Sequence, residues 1–234
     1  MATIVITGAS KGIGFETALA LALAGHQVVA LARSLNGLEK LRETALRHSP
    51  VATVYPLAFD IVHGDYEKEL LPLVAEKLGH VDVLINNAGL LINKSFEKTS
   101  VDDFSAMLES NLLGPVCMTQ HLTPLMLPNS HIVNIGSMGG FQGSVKFPGL
   151  AAYSASKAAL HILTECLAME FEEKAIKINC LALGSAQTEM LANAFPQYKS
   201  PVTANDMGAY IAHFALTGQR LFNGKVLPVA VTTP

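Results

Sequence analysis

Apolar residues in this chain come in two textures. Short runs of β-branched and aliphatic residues alternate with longer stretches in which apolar positions recur every three or four residues. The runs predict strands over Thr3–Ile6, Gln27–Leu31, Ala52–Leu57, Val81–Ile85, His131–Ile135, Lys177–Leu181 and Lys225–Val229. The stretches between them predict helices over Gly12–Ala24, Leu35–His48, Asp65–Leu78, Val101–Leu122, Ala152–Phe171 and Ala204–Leu216. Such alternation is the pattern of a parallel sheet whose strands are joined by right-handed helical crossovers. Several runs, Ile4-Val5-Ile6 and Val28-Val29-Ala30-Leu31 among them, carry no polar alternate, as strands covered on both faces require.

No repeat, low-complexity tract or linker interrupts the pattern. The expected fold class is therefore α/β: a single doubly wound (Rossmann) domain over residues 1–234, with a mostly parallel seven-stranded sheet flanked by helices. Ligands of such sheets bind beyond the carboxyl ends of the strands, where strand order reverses. The loops that follow the strands are where chemistry is to be sought.

Composition removes several classes. Half of the 234 residues are hydrophobic and 15% are charged, which suits a packed core rather than a disordered chain. A net charge of -3 without any Lys/Arg run argues against nucleic acid and against a polybasic membrane patch. The longest apolar stretch, Ala18 to Ala24, ends at Gly25-His26 and is too short to span a bilayer. Cys117, Cys166 and Cys180 lack metal-type spacing and read as reduced thiols of a cytoplasmic protein, and the eight histidines show no zinc spacing. A strand-like run beginning at Ala2 leaves no expectation of a signal peptide.

After the first predicted strand comes Thr7-Gly8-Ala9-Ser10-Lys11-Gly12-Ile13-Gly14, which leads into an Ala/Leu-rich helix. Glycines there let the backbone turn tightly and approach a pyrophosphate, while the helix N-terminus offers N–H groups to its oxygens. The loop after the second strand reads Ala32-Arg33-Ser34, with no acid to bind a ribose 2′-hydroxyl. Arg33 can clamp a 2′-phosphate and Lys11 can add a point charge, so the sequence favours NADP(H) over NAD(H).

Tyr153 and Lys157 lie four apart and share one face of a predicted helix. An ammonium beside a phenol stabilises the phenolate and brings proton exchange with a carbonyl or alcohol into reach. By spacing alone the pair says little; its company gives it meaning. Ser137 follows the fifth strand, and Asn86-Asn87-Ala88-Gly89 follows the fourth. Asn111 sits within a predicted helix, a poor place for asparagine unless its amide has a partner.

Together these motifs resemble the classical branch of the short-chain dehydrogenase/reductase family, in order and from Thr7 to about Val229. The resemblance implies that Tyr153 is the general acid in reduction and base in oxidation, and that Ser137 orients the carbonyl. It implies that Lys157 holds the nicotinamide ribose and lowers the Tyr153 pKa, and that Asn111 anchors a water for proton resupply. Gly8, Ser10, Lys11, Gly12, Ile13, Gly14, Asn87, Ala88 and Gly89 would line the cofactor. Asp60 and Ile61 would touch adenine, and Thr188 would lie near the nicotinamide amide. The implied function is an NADP(H)-dependent carbonyl reductase acting on a small carbonyl or alcohol substrate, assembled as a homodimer or homotetramer.

Two alternatives stay open: a non-catalytic NADP(H) sensor, and an NAD(H)-preferring alcohol dehydrogenase. Four departures from the family pattern also stand out. Leu183-Gly184 replaces the usual Pro-Gly, and the Ser137–Tyr153 stretch, with Lys146-Phe147-Pro148-Gly149, runs long. The substrate loop, about residues 185–205 with Met190, Leu191 and Phe195, runs short, which predicts an open pocket and broad substrate tolerance. The chain ends Ala230-Val231-Thr232-Thr233-Pro234, without the glycines many relatives carry.

Overall fold

The first strand sets the pattern of the whole sheet. In a computed structural model describing residues 1–231, Ile4 and Ile6 face one helical layer while Val5 faces the other. Thr232, Thr233 and Pro234, part of the ending noted above, lie outside the described residues. The strands are β1 (Thr3–Thr7), β2 (Gln27–Ala32), β3 (Thr53–Ala58), β4 (Val81–Asn86), β5 (Met126–Ser137), β6 (Lys177–Leu183) and β7 (Val226–Val229). They form one seven-stranded sheet in the order β3-β2-β1-β4-β5-β6-β7. Every pairing among them is parallel. The order reverses between β1 and β4, and that reversal opens the crevice above their carboxyl ends.

The helices are α1 (Gly12–Leu23), α2 (Leu35–His48), α3 (Leu71–Lys77), α4 (Val101–Leu108), α5 (Gly114–Leu122), α6 (Ala151–Glu170), α7 (Glu189–Ala194) and α8 (Ala204–Thr217). Leu21, Leu38, Leu41, Ile211 and Phe214 of α1, α2 and α8 bury against one sheet face. Val74, Met118, Leu122 and Ala168 of α3, α5 and α6 bury against the other. Gly208 lets α8 close on α1, since a Cβ there would lie 2.8 Å from the Thr17 backbone nitrogen. No helix of the described residues is long and apolar enough to cross a membrane.

Two predicted helices are interrupted. The stretch Val101–Leu122 divides into α4 and α5 around a π-turn at Glu109–Leu113, where the Gly114 N–H bonds the Glu109 carbonyl. Pro115 is the local reason: it has no N–H for the Asn111 carbonyl, so the regular four-residue ladder cannot continue. The predicted helix Asp65–Leu78 likewise opens with a π-turn, Tyr66–Leu70, capped by the Asp65 side chain accepting from the Lys68 N–H.

Candidate active site

The glycine turn after β1 is held by β4. Asn87 Nδ2 donates to the Thr7 and Gly8 carbonyls at 2.9 and 3.2 Å. The Asn87 and Ala88 N–H groups both donate to Thr7 Oγ1, at 3.0 and 2.9 Å. Gly8 has φ +69, and a Cβ on it would lie 2.8 Å from the Ala88 Cα, so conformation and space both demand glycine. Gly12 has φ +62 with room around it, so there conformation alone makes the demand. The N-terminus of α1 has no side-chain cap and turns its free N–H groups toward the crevice.

This turn forms one end of a cleft of about 910 Å³, which Gly8, Ser10, Lys11, Gly12, Ile13 and Gly14 line. Arg33, Asp60, Ile61, Asn87, Ala88, Gly89 and Thr188 line it as well. A cradle that excludes side chains beside an uncapped helix N-terminus, in a cleft this large, fits a dinucleotide.

Three of these residues are engaged in ways the sequence did not indicate. Lys11 Nζ pairs with Glu189 of α7 at 2.9 Å, an exposed bridge from the glycine turn to the opposite lip. One Asp60 oxygen accepts the Val62 and His63 N–H groups at 2.9 and 3.3 Å, fixing the turn after β3. Thr188 caps α7 by accepting the Leu191 N–H at 3.2 Å. Arg33 makes no ion pair with another described residue.

Ser137, Tyr153 and Lys157 line the same cleft. Ser137 closes β5, and its Oγ accepts the Gly139 N–H at 3.1 Å, which leaves the hydroxyl proton to donate. Lys157 is buried, with Nζ donating to the Ile135 carbonyl at 2.7 Å and lying 6.0 Å from the Tyr153 ring centroid. Burial lowers its pKa to about 8, so the ammonium form still predominates at neutral pH.

Tyr153 opens onto the cleft, yet crowding around its phenol raises the pKa above the ordinary value. The group pulling the other way is Ser137. Burial outweighs the downward pull expected from Lys157, and the phenol is protonated at neutral pH as an ordinary tyrosine is.

Asn111 lies in the π-turn and is fully buried. Its Oδ1 accepts the Leu90 N–H at 2.8 Å, and its Nδ2 donates to the Leu90 carbonyl and to Ser156 Oγ, both at 2.9 Å. Ser156 in turn donates to the Tyr153 carbonyl at 2.7 Å. A Cβ on Gly89 would lie 2.9 Å from Asn111 Oδ1 and 3.5 Å from Lys157 Nζ. Asn111 thus ties the β4 loop to the helix that carries Tyr153 and Lys157.

Sequence reasoning missed Thr7 and Ser156, which brace the site from behind. It also missed His161, one turn beyond Lys157. Burial first, and the Lys157 charge second, lower the His161 pKa to about 4. Spacing is the signal that was there to read, since Ser156 neighbours Lys157 and His161 falls four after it on the same helix face.

A sheet with this reversal, a glycine cradle at its switch point and a Ser, Tyr and Lys side chain on one rim defines an oxidoreductase with an NAD(P)-binding fold. The chain belongs to the short chain dehydrogenase family, whose model matches residues 2–199. It is 35% identical over 197 residues to mouse (Mus musculus) dehydrogenase/reductase SDR family member 7B, covering 82% of this chain and 60% of that protein. It is 34% identical to the 3-oxoacyl-(acyl-carrier-protein) reductase FabG of Thermotoga maritima, over 79% of this chain and 74% of that protein. Its fold matches that of a short chain dehydrogenase from Burkholderia cenocepacia in complex with NADP, with TM-score 0.85 and 26% identity. That superposition covers 97% of this chain and 95% of the other.

Proposed function

We propose that this protein is an NADP(H)-dependent carbonyl reductase, working as one catalytic domain with residues 185–205 as its substrate loop. The observation that carries this reading is the meeting of Ser137, Tyr153 and Lys157 in the cleft that the glycine turn enters. The glycine turn and the N-terminus of α1 would hold the pyrophosphate, and Arg33 the 2′-phosphate. Asp60 and Ile61 would contact adenine, Thr188 the nicotinamide amide, and Lys157 the ribose. The chemistry the cofactor would supply there is a hydride for the carbonyl carbon.

The chain's own residues manage the proton. Ser137 donates to the carbonyl oxygen and orients it, and Tyr153, protonated at neutral pH as a phenol ordinarily is, delivers its proton to that oxygen. Lys157 steadies the phenolate left behind, and Asn111 keeps the β4 loop and α6 in register and anchors the water through which the proton is replaced. The preference for NADP(H) draws on the missing acid after β2 and on Arg33. The exposed Val101, Leu113, Ile162 and Met169, on or beside α4 to α6, support assembly as a homodimer or homotetramer. A cytoplasmic location fits three cysteines that stand as free thiols.

The test is to mix the protein with NADPH and a panel of ketones, aldehydes and quinones while following reduced nicotinamide. Consumption of NADPH is the expected result. Tight binding without consumption overturns the enzyme reading in favour of a non-catalytic NADP(H) sensor.

A further inference from the structure

Charge is unevenly distributed around the cleft. The rim built on β1, β2 and β3 carries Lys11, Arg33, Asp60 and His63. The rim built on β4, β5, β6 and the segment after β6 is lined instead by Leu91, Phe147, Leu150, Met190, Phe195 and Tyr198. Its one lining cation is Lys157, buried and already donating to the Ile135 carbonyl. None of the other lysines of these loops lines the cleft: Lys98 and Lys199 are exposed outside it, and Lys94 and Lys146 are turned to other partners. Lys94 grips both Asp103 oxygens at 2.9 and 2.7 Å, and Lys146 donates to the Phe141 carbonyl and Ser144 Oγ, both at 2.6 Å. The charged groups left facing this half are the Glu109 carboxylate and Glu189, the latter already paired with Lys11 at 2.9 Å. Its uncharged polar groups are hydroxyls: Ser185 Oγ and the Tyr198 hydroxyl lie 3.0 Å apart, and Ser200 holds Ser185 from behind.

We propose that the substrate is a neutral, predominantly apolar ketone or aldehyde, rather than an oxo acid or a phosphate-bearing acyl thioester. This inference rests on the carbonyl reductase reading of the same site. An anionic tail on this side would give up its hydration for an apolar wall, meet no unpaired cation among the described lining residues and face the Glu109 carboxylate. An aromatic or branched apolar tail loses nothing of that kind and gains by burial against Met190, Phe195 and Phe147. The Ser185–Tyr198 hydroxyls can hydrogen-bond an ester, ether or hydroxyl group, which gives a neutral polar substituent one place to sit. The base of the substrate loop is fastened by the Gln187 N–H to the Val202 carbonyl at 2.8 Å, so these walls are held in place.

A matched pair of substrates tests the proposal with the intact chain and saturating NADPH. One is an acetophenone with a para methyl ester; the other is the same ketone with the free carboxylate. The ester is expected to show a kcat/KM more than about tenfold higher than the acid. Met190→Arg, which sets a cation in the apolar wall, is expected to narrow or invert that ratio. Equal values for the two substrates, or a preference for the acid in the wild type, would overturn the substrate class and leave the reductase reading intact. Failure to turn over either ketone while NADPH binds would overturn the reductase reading itself, and this inference with it.

Discussion

Asn111→Leu puts the largest local demand on the account. Leucine has the same number and branching of side-chain heavy atoms as asparagine and is somewhat bulkier, so no cavity opens, but three hydrogen bonds at 2.8, 2.9 and 2.9 Å disappear. Ser156 keeps its bond to the Tyr153 carbonyl. The stranded groups are the Leu90 N–H and carbonyl. A buried polar group left unpaired costs about 1–3 kcal/mol, so the two together reach about 2–6 kcal/mol. Leu90 is only half-buried and water repairs part of the loss, which puts the expectation near the lower end, about 2–3 kcal/mol. A domain stable by about 5–15 kcal/mol survives that loss and still folds.

Urea unfolding of the variant should therefore show a lower midpoint with an unchanged slope. Ser156→Ala serves as the smaller step, at about 1 kcal/mol. Turnover should fall further than folding does, because Asn111 fixes Gly89 beside Lys157. An Asn111→Leu protein within about 0.5 kcal/mol of wild type, with full turnover, would refute the bridging role.

Other outcomes follow from the same geometry. Arg33→Ala should weaken NADPH by about tenfold or more while leaving NADH nearly unchanged, since NADPH alone carries the 2′-phosphate. Equal losses for the two cofactors would remove the basis for the preference. His131 is buried between the Ala215 carbonyl and Asn179, and burial lowers its pKa from 6.5 to about 4. The unfolded chain takes up that proton first, so stability is full above about pH 6.5 and declines toward pH 4, by up to about 3 kcal/mol. Thermal melts across that range should show the decline, and His131→Gln should make it shallower, His161 with its pKa of about 4 retaining the rest; an equally steep fall in the variant would assign the acid sensitivity elsewhere.

The strands were legible because a strand buried on both faces is an apolar run whatever it packs against. β1, β2, β4 and β6 fall within two residues of expectation. The break in Val101–Leu122 was not read, although Gly114-Pro115 marks it. A π-turn inserts one residue without disturbing the apolar stripe, so periodicity passes over it. Pro115 breaks the ladder locally, and tertiary contacts hold the resulting turn: Ile61 against Gly114, and Asn111 against Leu90. Helix α7 escaped notice because six residues are too few to show a period, and a lone Thr188 cap is a weak signal.

The candidate residues were legible as chemistry, since a phenol, an ammonium and a hydroxyl at strand ends have few uses together. Their electrostatics were not. Proximity on one helix face suggested that Lys157 sets the Tyr153 pKa, whereas burial dominates, and burial depends on what packs above the helix. Lys11 shows the same limit: its position in the glycine turn is plain from sequence, but Glu189 lies 178 residues further along the chain.

Tyr153→Phe tests the central claim most directly. It keeps the ring and removes the proton that is transferred to the carbonyl, so NADPH-dependent turnover of the para-ester acetophenone should fall by about a hundredfold to ten-thousandfold. NADPH affinity, measured by fluorescence titration of the same sample, should stay within about twofold, because phosphate and ribose contacts are untouched. A variant that binds NADPH normally and still turns over at the wild-type rate would contradict the account.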